Sequence, residues 1–275
     1  YRETANRIIQ AATADSAAWQ RLALLTDTFG PRLSGTTALE QAIDWIVAQM
    51  KADGLDQVRT QPVTVPHWVR GQESAELVSP RKLNLPMLGL GGSIGTPAEG
   101  ITAEVLVVSS FDDLHMRAAE AQGRIVLFDV PFTDYGATGV YRWRGAVAAA
   151  RAGAVACLIR SITPFSISSP HTGGMSYDTA VAQIPAAALT VENAMMLHRM
   201  QDRGERIVVT LKMEARMLPD AQSRNVMGQI TGTEKPDEIV VMGGHIDSWD
   251  VGEGAMDDAG GVVVAWQALR VMQQL

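Results

Sequence analysis

The chain has 275 residues, enough to bury a large core and to form more than one domain. Hydrophobic residues at 47% and charged residues at 19% place it among globular proteins and exclude a disordered chain. A formal charge of -7 with no basic block argues against a nucleic-acid partner, and no run of about 18 apolar residues marks a membrane span.

Residues 1–54 read as helical. Thr37 and Glu40 match a capping box, and Leu39, Ile43, Ile46, Val47 and Met50 recur at helical spacing. Gly54 is a good stop. Before that helix, Gly30-Pro31-Arg32-Leu33-Ser34-Gly35 reads as a tight loop. Residues 55–80 alternate as strands do, and Pro62 and Pro66 suggest an edge. The Gly- and Pro-rich stretch 83–100 reads as a connection into a different unit.

From 101 to about 213, strand and helix signals alternate at short intervals. Strands are expected at Val105–Val108, Ile125–Phe128, Val155–Ile159 and Ile207–Leu211, with helices at Trp143–Arg151 and Val191–Gln201. A compact α/β module fits this pattern. Its one cysteine, Cys157, lies in a strand-like run and reads as a packed thiol with no disulfide partner. After Ser223, Asn225–Ile230 and Ile239–Met242 are expected as strands, the second one buried. Val262–Leu275 is expected as a helix. That helix carries an apolar face of Val262, Val263, Trp266, Leu269 and Met272, expected to lack a covering sheet and to stay exposed. His67, His115 and His198 read as structural. His171 is either a turn residue or a substrate contact.

The most informative stretch is GGHIDSWDVGEGAMDDAGG, residues 243–261. It begins where a buried strand is expected to end, the place where open α/β sheets put ligands. Imidazole with carboxylate suits zinc. His245 and Asp247, two apart on extended backbone, point to the same side, so Asp247 can orient the ring. Asp257 and Asp258 open the last helix, where aspartate is also a plain N-cap. From these residues alone, both a metal role and a capping role stand.

The stretch resembles the metal-site signature of the M28 family of zinc peptidases, and within it the carboxypeptidase Q group. The GPRLSG, AEVLVV, SPHTGG and IPAAALTVENA segments extend the resemblance along nearly the whole chain. It implies an α/β fold in which an M28-type mixed sheet with flanking helices, incomplete here, carries an inserted protease-associated α/β domain. Residues 1–100 would be the N-terminal part of the catalytic domain, 101–213 the insert, and 214–275 the start of the metal-binding core. It implies a co-catalytic pair of zinc ions, with His245 binding one, Asp257 bridging both, and Asp247 as the catalytic-site residue that orients His245. The family's Glu-Glu pair, a further acid and a final histidine would follow Leu275, so the chain reads as cut short within the catalytic domain. By itself it is expected to bind zinc poorly and to be inactive. Asp258, Glu253 or Asp250 are the available substitutes as ligands.

The implied function is an exopeptidase acting on small peptides, chiefly dipeptides, as a homodimer outside the cytosol, with no signal peptide in this chain. The metals would polarise the scissile carbonyl and activate water. Two alternatives stand beside it. One is an aminopeptidase of the same fold, and the other a receptor or scaffold that has lost metal.

Overall fold

Thr36 sets the start of the third helix. Its hydroxyl accepts the backbone N–H of Leu39 at 3.3 Å. The cap therefore falls one residue before the expected Thr37. Glu40 is then too far into the helix to close a capping box. Its carboxylate instead takes the Ser223 hydroxyl at 2.7 Å and the Arg224 guanidinium at 3.0 Å.

The computed structural model describes residues 1–275. In chain order the elements are α1 (Arg2–Ala14), α2 (Ala17–Phe29), α3 (Thr37–Ala52), β1 (Asp56–Val69), β2 (Glu73–Ser79), β3 (Leu83–Asn84), β4 (Met87–Gly89), β5 (Ile101–Val108), α4 (Phe111–Met116), α5 (Ala118–Ala121), β6 (Ile125–Phe128), α6 (Tyr135–Arg151), β7 (Ala156–Arg160), β8 (Ala186–Leu189), α7 (Val191–Asp202), β9 (Val208–Met213), β10 (Arg216–Gln229) and α8 (Gly260–Gln274). Contacts group them into two units, Tyr1–His67 with Pro219–Leu275, and Trp68–Leu218.

In the first unit, β1 and β10 pair as a two-stranded sheet, which suits the prolines of β1. Helices α2, α3 and α8 share a core of Leu25, Ala42, Ile46, Met50, Leu55, Ala259, Val262 and Trp266. Trp266 is 1% exposed. It packs edge-on against Trp45 at 6.0 Å, and the Arg21 guanidinium sits 4.1 Å over its ring. Its indole N–H donates to Asp53 at 2.7 Å, and Asp53 also holds Arg21 at 2.6 Å. The tryptophan thus has an apolar body in the core and a satisfied polar tip.

This core corrects one expectation. The apolar face of α8 is not left open, because Val262, Val263 and Trp266 are buried and the covering elements are helices. A second correction concerns Ile239–Met242. These residues form no strand, and Ile239, Val240 and Val241 are 81%, 88% and 86% exposed. A buried strand needs a hydrogen-bonding neighbour, and neither β1 nor β10 pairs with this segment.

The second unit is an eight-stranded mixed sheet in the order β3-β2-β9-β5-β6-β7-β8-β4. Strands β5 to β8 are parallel neighbours, joined through helices between β5 and β6 and between β6 and β7 and by a long loop between β7 and β8, and their apolar runs are buried as parallel strands require. The sheet curls until its ends meet. Glu73 at the start of β2 accepts the Gly89 N–H of β4 at 3.0 Å, and Arg70, ahead of β2, donates to the Gly89 carbonyl at 2.6 Å. The stretch expected as a bare connection therefore contributes β3 and β4. Helix α6 lies close to the sheet at Gly145, where a Cβ would stand 3.3 Å from Phe128 and 3.4 Å from the Cys157 sulfur. Cys157 is buried, and burial pushes its thiol pKa well up, as for an inert packed cysteine. No helix in the chain is long and apolar enough to cross a membrane.

Truncating Trp266 to alanine removes the side chain that links the three helices. We expect Trp266→Ala to lower unfolding free energy by about 3–5 kcal/mol. Urea unfolding of the full-length protein followed by circular dichroism measures this. A loss under about 1 kcal/mol would contradict the packing described.

Candidate metal centre

The last helix begins at Gly260, after Asp257 and Asp258, and the backbone ahead of it explains why two adjacent aspartates diverge. Asp257 (φ -128°, ψ 88°) and Asp258 (φ -139°, ψ 34°) are both non-helical, in an irregular turn at 255–259. The peptide between them is cis. Asp258 turns toward backbone amides. One carboxylate oxygen accepts the Gly261 N–H at 3.0 Å and the other accepts the His245 N–H at 3.1 Å. It caps α8 and ties the histidine's backbone to the helix start in one step.

The glycines of the motif make that closeness possible. A Cβ on Gly244 would stand 2.6 Å from the Val262 nitrogen and 2.7 Å from an Asp258 oxygen. One on Gly261 would stand 2.4 Å from the Asp258 carboxylate. Side chains at either position would push the loop away from the helix.

Asp257 turns the other way. Its Oδ1 lies 2.8 Å from His245 Nε2. On the far side of the ring, Nδ1 lies 3.0 Å from the Asp247 carbonyl oxygen and 3.2 Å from its carboxylate. Both atoms facing Nδ1 are acceptors, so Nδ1 carries a proton and donates. Nε2 is then the nitrogen presented to Asp257. A neutral Nε2 and a carboxylate oxygen both offer lone pairs, so a cation must sit between them, either a proton or a metal. Partial burial works to lower the His245 pKa. The Asp247 charge and the hydrogen bond with Asp257 outweigh it and raise the pKa above its ordinary value.

The donor chemistry fits zinc. One imidazole nitrogen and one carboxylate oxygen converge, and the second ring nitrogen is held from behind. It is a partial set. No cluster of three or more His, Cys, Asp or Glu side chains is arranged to hold a metal by itself. Glu253 faces solvent, and Asp258 is committed to backbone N–H groups. A cavity of about 370 Å³ flanks Gly244–Asp247, floored by Leu39 and Ile43 of α3 and by Val63 and Val65 of β1.

Three of the other histidines, His115, His171 and His198, belong to the second unit. His198 bonds Asp129 at 2.7 Å in the second unit. His171 is anchored there by its backbone N–H on the Ser161 hydroxyl at 2.8 Å, and burial and the Arg142 charge lower its pKa. The residue that sequence reasoning passed over is Arg32. It is buried against the loop that carries His245 and Asp247, and its only signal in the sequence is an arginine inside the Gly30–Gly35 turn.

Comparison with known proteins identifies the family. Residues 225–275 match the sequence pattern described as "Peptidase family M28". Carboxypeptidase Q of Bos taurus is 53% identical over 262 residues, covering 95% of this chain and 56% of that protein. This chain belongs to peptidase family M28. The structure of an M28 peptidase precursor from Shewanella amazonensis superposes with a TM-score of 0.95 at 37% identity, covering 99% of this chain and 63% of that one. A zinc aminopeptidase from Bacillus subtilis shares the fold, with a TM-score of 0.64 at 24% identity over 94% of this chain and 57% of that one. The chain thus spans little more than half the length of the carboxypeptidase it matches.

Asp258→Ala leaves two N–H groups without their acceptor. We expect a loss of about 1–2 kcal/mol in urea unfolding of the full-length protein, as for other lost caps. Asp258→Asn, which keeps one acceptor oxygen, should lose less. Equal stability of Asp258→Ala and the parent would contradict the capping role.

Proposed function

We propose that the full-length protein is a zinc-dependent M28 exopeptidase that hydrolyses small peptides, chiefly dipeptides, at a site holding two zinc ions. The observation that carries this reading is the His245 Nε2 to Asp257 Oδ1 approach of 2.8 Å, with Nδ1 engaged by Asp247. In this reading His245 would hold one zinc and Asp257 would be shared by the pair. Bound zinc supplies Lewis acidity toward a peptide carbonyl and toward water. Asp247 keeps the imidazole in the tautomer that frees Nε2. Asp258 fixes the backbone beneath it. The remaining ligands and the general base would come from outside these residues.

The 53% identity to a carboxypeptidase Q favours that group over aminopeptidases, to which the chain is 24–26% identical. The paired His245 and Asp257 favour an enzyme over a receptor that has lost metal. The unit Trp68–Leu218 corresponds in this reading to the protease-associated insert. Action outside the cytosol and assembly as a homodimer belong to the same proposal and rest on the resemblance to the carboxypeptidase Q group.

Asp257→Asn in the full-length protein tests it. An amide carries no charge to offset two dications. Dipeptide hydrolysis should fall at least about 100-fold, beyond what losing a residue that merely orients a ligand costs, and bound zinc should drop while circular dichroism is unchanged. Asp247→Asn should cost zinc affinity only about 10-fold, because the Asp247 carbonyl still accepts from Nδ1. Near-normal turnover of Asp257→Asn with both zincs retained would refute the assignment.

A further inference from the structure

Residues 239–254, which carry His245 and Asp247, form neither helix nor strand. Asp258 holds the His245 N–H, and with no hydrogen-bonded ladder something must also hold the rest of the loop so that Asp257 can reach the ring. We propose that Arg32 is that positioning residue, a buried guanidinium that ties the two ends of the metal loop together; the proposal rests on the zinc reading of the site.

Arg32 is 0% exposed. Its Nε donates to the Ile246 carbonyl at 2.9 Å, between His245 and Asp247. Its Nη1 donates to the Glu253 carbonyl at 2.9 Å, on the approach to Asp257, and to Gly30 in its own turn at 2.6 Å. Its backbone completes the tie. The Arg32 N–H donates to the Ser248 hydroxyl at 2.9 Å, and the Ser248 N–H donates to the Arg32 carbonyl at 3.0 Å. One side chain therefore bonds the loop next to its histidine and again just before its bridging aspartate.

A lysine cannot replace it. Three carbonyls in fixed directions match a planar fork with several donors, whereas an ammonium is a single point of attachment. Space is matched too. At Gly254 (φ 60°) a Cβ would stand 2.3 Å from the Ser248 Cβ and 3.2 Å from Nη2, so the loop backbone lies directly on the guanidinium. Burying a cation here is costly. Burial lowers the Arg32 pKa, and the charges of Asp247 and Glu253 oppose that shift. An arginine buried at such a cost, and bonded from its own turn to the loop that carries His245 and Asp247, acts on the geometry of those residues.

The test measures metal binding, not turnover. Full-length wild type, Arg32→Met, Arg32→Lys and Ser248→Ala are titrated with zinc against a chelating dye, below their melting temperatures and with circular dichroism recorded. The visible spectrum of cobalt-loaded protein reports ligand geometry. Arg32→Met should stay folded, bind zinc about 10- to 100-fold more weakly and shift the cobalt bands. Arg32→Lys should bind as weakly as Arg32→Met. Wild-type zinc affinity and an unchanged cobalt spectrum in folded Arg32→Met, even with a lowered Tm, would overturn the proposal. Wild-type affinity in Arg32→Lys would overturn the requirement for the fork. If Arg32→Met does not fold, Ser248→Ala decides, with about 10-fold weaker zinc binding expected and unchanged binding overturning the idea. A wild type that holds no zinc refutes the site itself. A wild type that holds zinc no better than folded Arg32→Met refutes only the clamp.

Discussion

Two neighbouring carboxylates with different tasks govern the site. Asp258 spends its oxygens on the N–H groups of His245 and Gly261, while Asp257 meets the imidazole. Had both residues been helical, their side chains would leave the helix about 100° apart and neither would reach back across the loop. Their non-helical backbone separates the two roles. The missing side chains at Gly244 and Gly261 allow the loop to sit on the helix start. Behind them, Ala259, Val262 and Trp266 seat α8 in the helical core, so the first turn of α8 has a fixed place.

Charge then dictates what the site can hold. Asp247 and Asp257 flank one imidazole, from opposite sides of its ring. With two acceptors at Nδ1 and a carboxylate at Nε2, the arrangement calls for a cation at Nε2. A proton satisfies it by charging the histidine, consistent with the raised pKa. A dication satisfies it more fully, and the oriented ring is already arranged for one. The proton and the metal compete for one nitrogen.

Much of this was legible in the sequence, for physical reasons. The alternating strand and helix signals of 101–213 reflect local periodicity, and the structure has β5, β6, β7 and β9 with α6 and α7 there. The motif 243–261 was legible because side-chain chemistry and spacing appear directly in residue order. What escaped depends on tertiary contacts. Thr36 and Thr37 are equivalent by type, and only the helix start distinguishes them. The apolar run Ile239–Met242 has the composition of a strand, but a strand also needs a partner. The apolar face of α8 finds its cover in α2 and α3, more than 200 residues earlier in the chain. Arg32 likewise acts across 214 residues on Ile246, a separation that no local pattern reports.

The central claim is that the closest approach in the site, His245 Nε2 to Asp257 Oδ1, is where a metal binds. Anomalous diffraction at the zinc edge from crystals of the zinc-loaded full-length protein tests it most directly. A zinc peak should lie about 2.0–2.2 Å from both His245 Nε2 and an Asp257 oxygen, with the direct contact between them opened. Zinc located elsewhere, with His245 and Asp257 still in direct hydrogen-bond contact, would contradict the account.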